Sequence, residues 1–342
     1  MDTLATFDVI TKLISSVGPL GSMLQASLVG LAIVGLACAA APQLAPYRRH
    51  ALLALTALLA AGECVLAWLH WRLYGLMAVI DPATGLKTGH VAAPLWIESE
   101  KLFVWALLVG IMGLLMRRHR DELLGGVLAC TSVLTIASVL TGQPFTNPIP
   151  NLIGQYSGYL QAMSVGGQAA YGAFQGMEGA RQGYYNAWFM WVHPPLLFFS
   201  YGTFVISFLA TLKMIARRHS EFETTAYRWA RLGYLALTAG MLLGLPWALM
   251  SWQGEAWWWS GKVNMSIMMW MLYTAYLHAR LYLRTRGMWK AVAALAALSF
   301  LILVLTYVAT YVVPGTHSYA SAETVRALAA FLGKAPLSGG GA

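Results

Sequence analysis

Charge is scarce in this chain. Only 10% of the 342 residues are Asp, Glu, Lys or Arg, against 58% hydrophobic. A water-soluble globule of that balance would have no polar surface with which to cover its core, so a soluble fold is excluded. Cysteine is scarcer still. Cys38, Cys64 and Cys130 all fall in apolar runs, and neither CxxC nor CxxCH occurs. That excludes a disulfide framework and a site for covalent haem attachment to the chain itself; small buried thiols are the reading that remains. No nucleophile, catalytic triad or Walker-type loop can be picked out. The first twenty residues hold Asp2, Asp8 and Lys12 and no arginine-rich start, so no cleavable signal peptide is expected.

What is abundant is apolar runs of about twenty residues, the length that crosses the hydrocarbon core of a bilayer. The expected fold class is all-α, a single polytopic membrane domain over 1–342. About eight transmembrane helices are expected, at 22–42, 51–74, 99–117, 123–142, 189–215, 229–251, 263–284 and 289–313. The formal charge of +9 is a topology signal and gives no reason to expect nucleic acid. Arg48 and Arg49 lie between the first two spans, and Arg117, Arg118 and Arg120 between the third and fourth. Lys213, Arg217, Arg218, Arg228 and Arg231 lie around the loop after the fifth, and Arg280, Arg284, Arg286 and Lys290 around the loop after the seventh. These short loops are therefore expected on the cytoplasmic side, with both termini outside; contact with anionic lipid follows from the same charges. The external side takes the longer segments: 143–188, rich in Gly, Gln, Tyr and Asn and expected as a long loop; a tryptophan-rich loop at 252–262; and a tail at 314–342.

The histidines divide by place. His50, His119 and His219 sit among arginines and read as solvated. His193 (WVHPPLLFFSYG) and His317 (VVPGTHSYA) fall at the external mouths of their helices, where imidazole nitrogens from two segments could share one metal. His278 (YTAYLHARLYL) lies deep in the cytoplasmic half of its span, a functional candidate or a histidine bonded to a neighbouring helix. His70 and His90 are ligands or polar rim. Glu63, the carboxylate deep in a span, is a proton relay or a neutral acid bonded to a neighbour. Residues 255–270 read EAWWWSGKVNMSIMMW. Three adjacent indoles, with Trp247 and Trp252 before them, are denser than an interfacial aromatic belt needs. They could floor a flat apolar macrocycle, with axial nitrogens supplied by flanking histidines.

These residues resemble the tryptophan-rich WWD domain of the cytochrome c biogenesis haem-handling proteins of the CcsA, CcmF and CcmC type. Trp247, Trp252, Trp257, Trp259, Lys262, Trp270 and YLHAR match that loop and the helix after it. HPPLLFFSYG around His193, GTHSYA around His317, GHVAAPLWIES with His90 and Glu98, and PFTNPIP are similar to further family elements. The chain departs where the family has the aspartate of WWD: Ser260 stands there, followed by Gly261, with Val263 in place of a glutamate. Glu255 is an external acid that could substitute.

The resemblance implies non-covalent haem b at the external face, ligated by His193 and His317 over Trp252, Trp257, Trp258 and Trp259, and a second, intramembrane haem at His278. It implies haem delivery to apocytochrome CxxCH motifs for thioether attachment, within a cytochrome c synthase (haem lyase) complex if the chain is enzymatic. A second membrane subunit with a large external domain is the expected partner, and the cell inner (cytoplasmic) membrane the expected location. The alternative is a b-type haem membrane subunit that passes electrons between quinol and an external cytochrome.

Overall fold

The computed structural model describes residues 3–116, 120–217, 220–251 and 260–312. The chain runs α1 (Thr3–Ala40), α2 (Arg48–Leu76), a hairpin of β1 (Ala78–Ile80) and β2 (Lys87–His90), α3 (Lys101–Leu115) and α4 (Arg120–Ala137). It continues with α5 (Pro150–Val165), α6 (Gly167–Ala180), α7 (Trp188–Arg217), α8 (Ser220–Ser251), α9 (Gly261–Leu281), the short α10 (Leu283–Arg286) and α11 (Trp289–Val312). The fold is all-α apart from that antiparallel hairpin.

Among the described residues, six helical segments are long and apolar enough to cross a membrane: those within α1, α2 with the 3-10 turn Pro42–Tyr47 before it, α4 with the π-helical turn Ser138–Gly142 after it, α7, α8 and α11. This is a multi-pass membrane protein. Helices α3 and α9 occupy the places of the other two expected spans. At 15 residues, α3 rises only about 22 Å, short of a bilayer core of about 30 Å. α1 begins at Thr3, well before the apolar run that signalled it.

Local chemistry explains the joints. Pro42 and Pro46 lie in the turn after α1, and Arg48 closes that helix: its guanidinium donates to the carbonyls of Cys38 and Ala39, each at 2.9 Å. A cation there satisfies orphan carbonyls and complements the helix dipole. The large core lies among α1–α4, α7–α9 and α11. There Phe204 stacks on Tyr273 with ring centroids 3.7 Å apart, joining α7 to α9.

The segment 143–188, expected as a loop, contains two helices. Leu152, Tyr156, Tyr159 and Leu160 are buried at helical spacing, so the polar Gly- and Gln-rich composition hides an amphipathic face. That face packs with Val79, Val91, Ile97, Met177, Tyr185 and Trp247 into a second, smaller core. The Tyr156 hydroxyl donates to Ala78 O at 2.8 Å, and Ile80 N donates to the Tyr159 hydroxyl at 2.8 Å. Asn186 joins the same layer, donating to His90 O and accepting from Ala92 N, both at 2.9 Å. Hairpin, α5 and α6 thus form a folded cap over one end of the helices.

Candidate functional site: a cavity beneath the cap

Under the cap, where α7, α8, α9 and α11 meet, is a cavity of about 1020 Å³. This is at the top of the range of about 300–1,000 Å³ usual for small-molecule sites. Its lining is mainly apolar and aromatic, including Trp96, Leu197, Phe198, Tyr201, Trp247 and Tyr307. Among the described residues, one imidazole reaches it, that of His193.

The sequence around His193 specifies how the ring is held. In α7, Pro194 has no N–H for the carbonyl of Met190, four residues back. The Trp96 indole N–H donates to that carbonyl instead, at 2.6 Å. Trp96 also meets Trp191 edge to face, with centroids 5.7 Å apart. His193 Nδ1 lies 2.6 Å from Gly240 O on α8. A carbonyl can only accept, so Nδ1 carries the proton, and the neutral ring keeps its lone pair on Nε2. Gly244, one turn further along α8, makes room for the ring. A Cβ there would come within 2.5 Å of His193 Cε1. Trp247 completes the support: its ring centroid is 6.2 Å from that of His193, and its indole N–H donates to Gly183 O at 2.8 Å in the π-helical turn Arg181–Tyr185.

The polar rim includes Glu98, Lys101 and Lys262. Glu98 caps α5, accepting from Asn151 N at 2.8 Å and Leu152 N at 3.1 Å. Burial pushes its carboxyl above the usual carboxylate range, against the opposing pull of those two N–H groups. Burial likewise pushes the Tyr185 phenol up. Ser260 is the N-cap of α9, its hydroxyl accepting from Val263 N at 3.4 Å. Serine and aspartate are about equally good N-caps, so the departure at this position keeps the helix start.

Trp252, Trp257, Trp258, Trp259 and His317 lie outside the described residues. His278 is exposed on α9, with Nδ1 donating to Thr274 O one turn back at 2.8 Å. His70 is buried with both nitrogens engaged, Nδ1 to Ala93 O and Nε2 to Glu100 Oε1, each at 2.8 Å, so its ring has no lone pair to offer. His90 Nε2 lies 3.1 Å from Lys87 Nζ, and its Nδ1 is buried without a hydrogen-bond partner among the described residues. Glu63 Oε2 is likewise buried without a partner among them. Reading the sequence missed the roles of Gly240, Gly244 and Trp96. The small-xxx-small spacing of the two glycines was the available signal; nothing local points to Trp96.

A protein-family model described as Cytochrome C assembly protein matches residues 95–317. The probable cytochrome c-type biogenesis protein NrfE of Escherichia coli (strain K12) is 34% identical over 147 residues, 41% of this chain and 26% of that protein. The cytochrome c biogenesis protein CcsA of Chlamydomonas reinhardtii is 32% identical over 148 residues, 39% and 40% of the two chains. CcsA of Gloeobacter violaceus is 37% identical over 116 residues, 32% and 33% of the two. In each case the match spans less than half of the relative's length.

Proposed function

Because this chain belongs to the cytochrome c assembly protein family, we propose that it handles haem in cytochrome c maturation and presents it beneath the cap for attachment to apocytochrome CxxCH motifs. The observation that carries this reading is His193: an imidazole whose Nδ1–H is committed to Gly240 O, on a largely apolar cavity of about 1020 Å³. A haem ligand needs a deprotonated nitrogen, a second partner that fixes the ring, and an apolar surround. The residues present meet all three.

In this proposal haem b is non-covalent cargo, and bound haem supplies the vinyl groups with which the apocytochrome thiols react. The chain supplies position. His193 gives one axial nitrogen, and Gly240 O holds its tautomer and orientation. Gly244 leaves the ring its space, and the aromatic lining excludes water. His317 is proposed as the opposite ligand, with Trp252, Trp257, Trp258 and Trp259 as the floor. Holding cargo and thiols together raises their effective concentration, and much of the acceleration follows from that. His278, exposed on α9, is proposed to hold a second haem with a ligand from the partner membrane subunit. The cap is proposed to face outward from the cytoplasmic membrane, with the arginine-bearing loops inside.

The test is the haem content and absorption spectrum of the detergent-purified protein, beside His193→Ala and His317→Ala. Non-covalent haem depleted by both substitutions is the expected result. Haem retained unchanged in both variants would remove the site beneath the cap and leave His278 as the ligand to pursue.

A further inference from the structure

The cavity beneath the cap has two mouths of opposite character. Asn151, Gly154 and Gln155 on α5 line it and are exposed, so one mouth is polar and opens through the cap. The other lies between α8 and α9. Toward the arginine-bearing end these two helices are tied together. The Arg280 guanidinium donates to Glu223 Oε1 at 2.6 Å, the Trp270 indole N–H donates to the Thr238 hydroxyl at 2.9 Å, and the Tyr234 and Thr274 hydroxyls share a hydrogen bond of 2.8 Å.

The pairs Tyr234 with Thr274 and Thr238 with Trp270 set an antiparallel register. Continued toward the cap, it brings Met241 level with Ile267 and Leu245 level with Val263. All four line the cavity, and of these Leu245 is 48% and Ile267 40% exposed. The surface around them is apolar: Leu242 and Leu249 on α8 and Met268 and Met271 on α9 are also exposed. Leu245 falls within one of the segments that can cross a membrane, so this mouth faces hydrocarbon. It leads onto the candidate ligand. A Cβ on Gly244, next to Leu245, would lie 3.1 Å from His193 Nε2, the nitrogen whose lone pair the bond to Gly240 O leaves available.

We infer that the cavity is loaded sideways from the bilayer, through the apolar mouth that Leu245 and Ile267 flank between α8 and α9. Resting on the haem reading above, the ligand that enters there is haem. To use the mouth at α5, a flat apolar macrocycle would have to leave the bilayer and expose both faces to water, which the hydrophobic effect opposes. Between α8 and α9 it passes from hydrocarbon into a largely apolar cavity without that exposure. The polar mouth is then left clear for the water-borne thiols of an incoming CxxCH.

The experiment follows haem loading of the haem-stripped full chain in phosphatidylcholine vesicles, and unloading into excess empty vesicles, both read from the haem absorbance change. Leu245→Trp with Ile267→Trp fills the mouth between α8 and α9. Gly154→Trp fills the mouth at α5, where a Cβ meets nothing within 4 Å. The double tryptophan variant is expected to slow loading and unloading alike by at least about tenfold, a barrier raised by about 1.4 kcal/mol, at unchanged equilibrium affinity. Gly154→Trp should keep wild-type rates. Leu245→Ala with Ile267→Ala should raise both rates, a result that failed folding does not give.

Slower exchange in Gly154→Trp alone would assign loading to the mouth at α5 and overturn the inference, while leaving the haem reading intact. So would wild-type rates in both tryptophan variants, or slowing in both. A lowered equilibrium affinity at an unchanged loading rate would make Leu245 and Ile267 part of the seat and not of its mouth, and would also overturn it. Wild type that takes up no haem would remove the haem reading and the entry route together.

Discussion

At the scale of single residues, His193 is a candidate ligand whose orientation depends on the groups packed around its ring. Gly244→Ala would put a Cβ within 2.5 Å of the imidazole, so the ring must turn away from Gly240 O. The expected outcome is haem loss nearly as complete as in His193→Ala, in a protein that still elutes as a single species; haem per polypeptide measures it. Trp96→Phe leaves the Met190 carbonyl without its donor, a buried acceptor lost at a cost of about 1–3 kcal/mol. A lowered thermal unfolding midpoint in detergent is expected, with haem content following. Ser260→Asp should keep the α9 cap, whereas Ser260→Ala should cost about 1 kcal/mol. Comparing the unfolding midpoints of the two variants checks this.

At the scale of elements, the cap is the part most open to change in conditions. Glu178 on α6 accepts from Arg181 at 2.6 and 2.8 Å, from the Thr88 hydroxyl on β2 at 2.9 Å and from Gln182 at 2.5 Å. These donors, Arg181 foremost, hold its carboxyl at about 2, below its ordinary value of 4.5. A depressed carboxylate contributes stability above its ordinary value and loses it as pH falls through the depressed one. The contact between α6 and the hairpin is therefore expected to be intact above about pH 4.5 and to weaken between there and about pH 2. Amide exchange at residues 87–90 should quicken over that window. Glu178→Gln should remove the pH dependence while weakening the contact at neutral pH.

On the scale of the whole molecule, two bands of exposed aromatics mark the two ends of the bundle. Trp68, Trp71, Tyr74, Trp188 and Trp191 are exposed beside the cap, and Tyr47, Tyr282 and Trp289 are exposed beside the arginine-bearing turns. Tryptophan and tyrosine concentrate at membrane–water interfaces, which supports the proposal that the cap stands beyond one interface and the basic turns beyond the other. In a background with Cys38, Cys64 and Cys130 changed to alanine, Thr84→Cys in the hairpin turn should react with a membrane-impermeant maleimide on intact cells. Arg286→Cys should react only after permeabilisation. The opposite pattern would invert the proposed orientation and put the cavity on the cytoplasmic side.

The sequence by itself determined what is local and periodic. Apolar runs place the helices because hydrocarbon accepts little else, and HPP, GTHSY and the tryptophan cluster identify the family because short motifs survive as strings. It also singled out His193. It could not show that 143–188 folds into two helices, because that segment's amphipathic face has meaning only against the hairpin and Trp247. Nor could it show that both nitrogens of His70 are occupied, since Ala93 and Glu100 lie more than twenty residues away. The carbonyl that fixes His193 is 47 residues distant, and Lys101 and Lys262 line one cavity only because α3 and α9 both border it. Such convergences depend on long-range packing of helices that each look ordinary alone, so only the tertiary structure decides them.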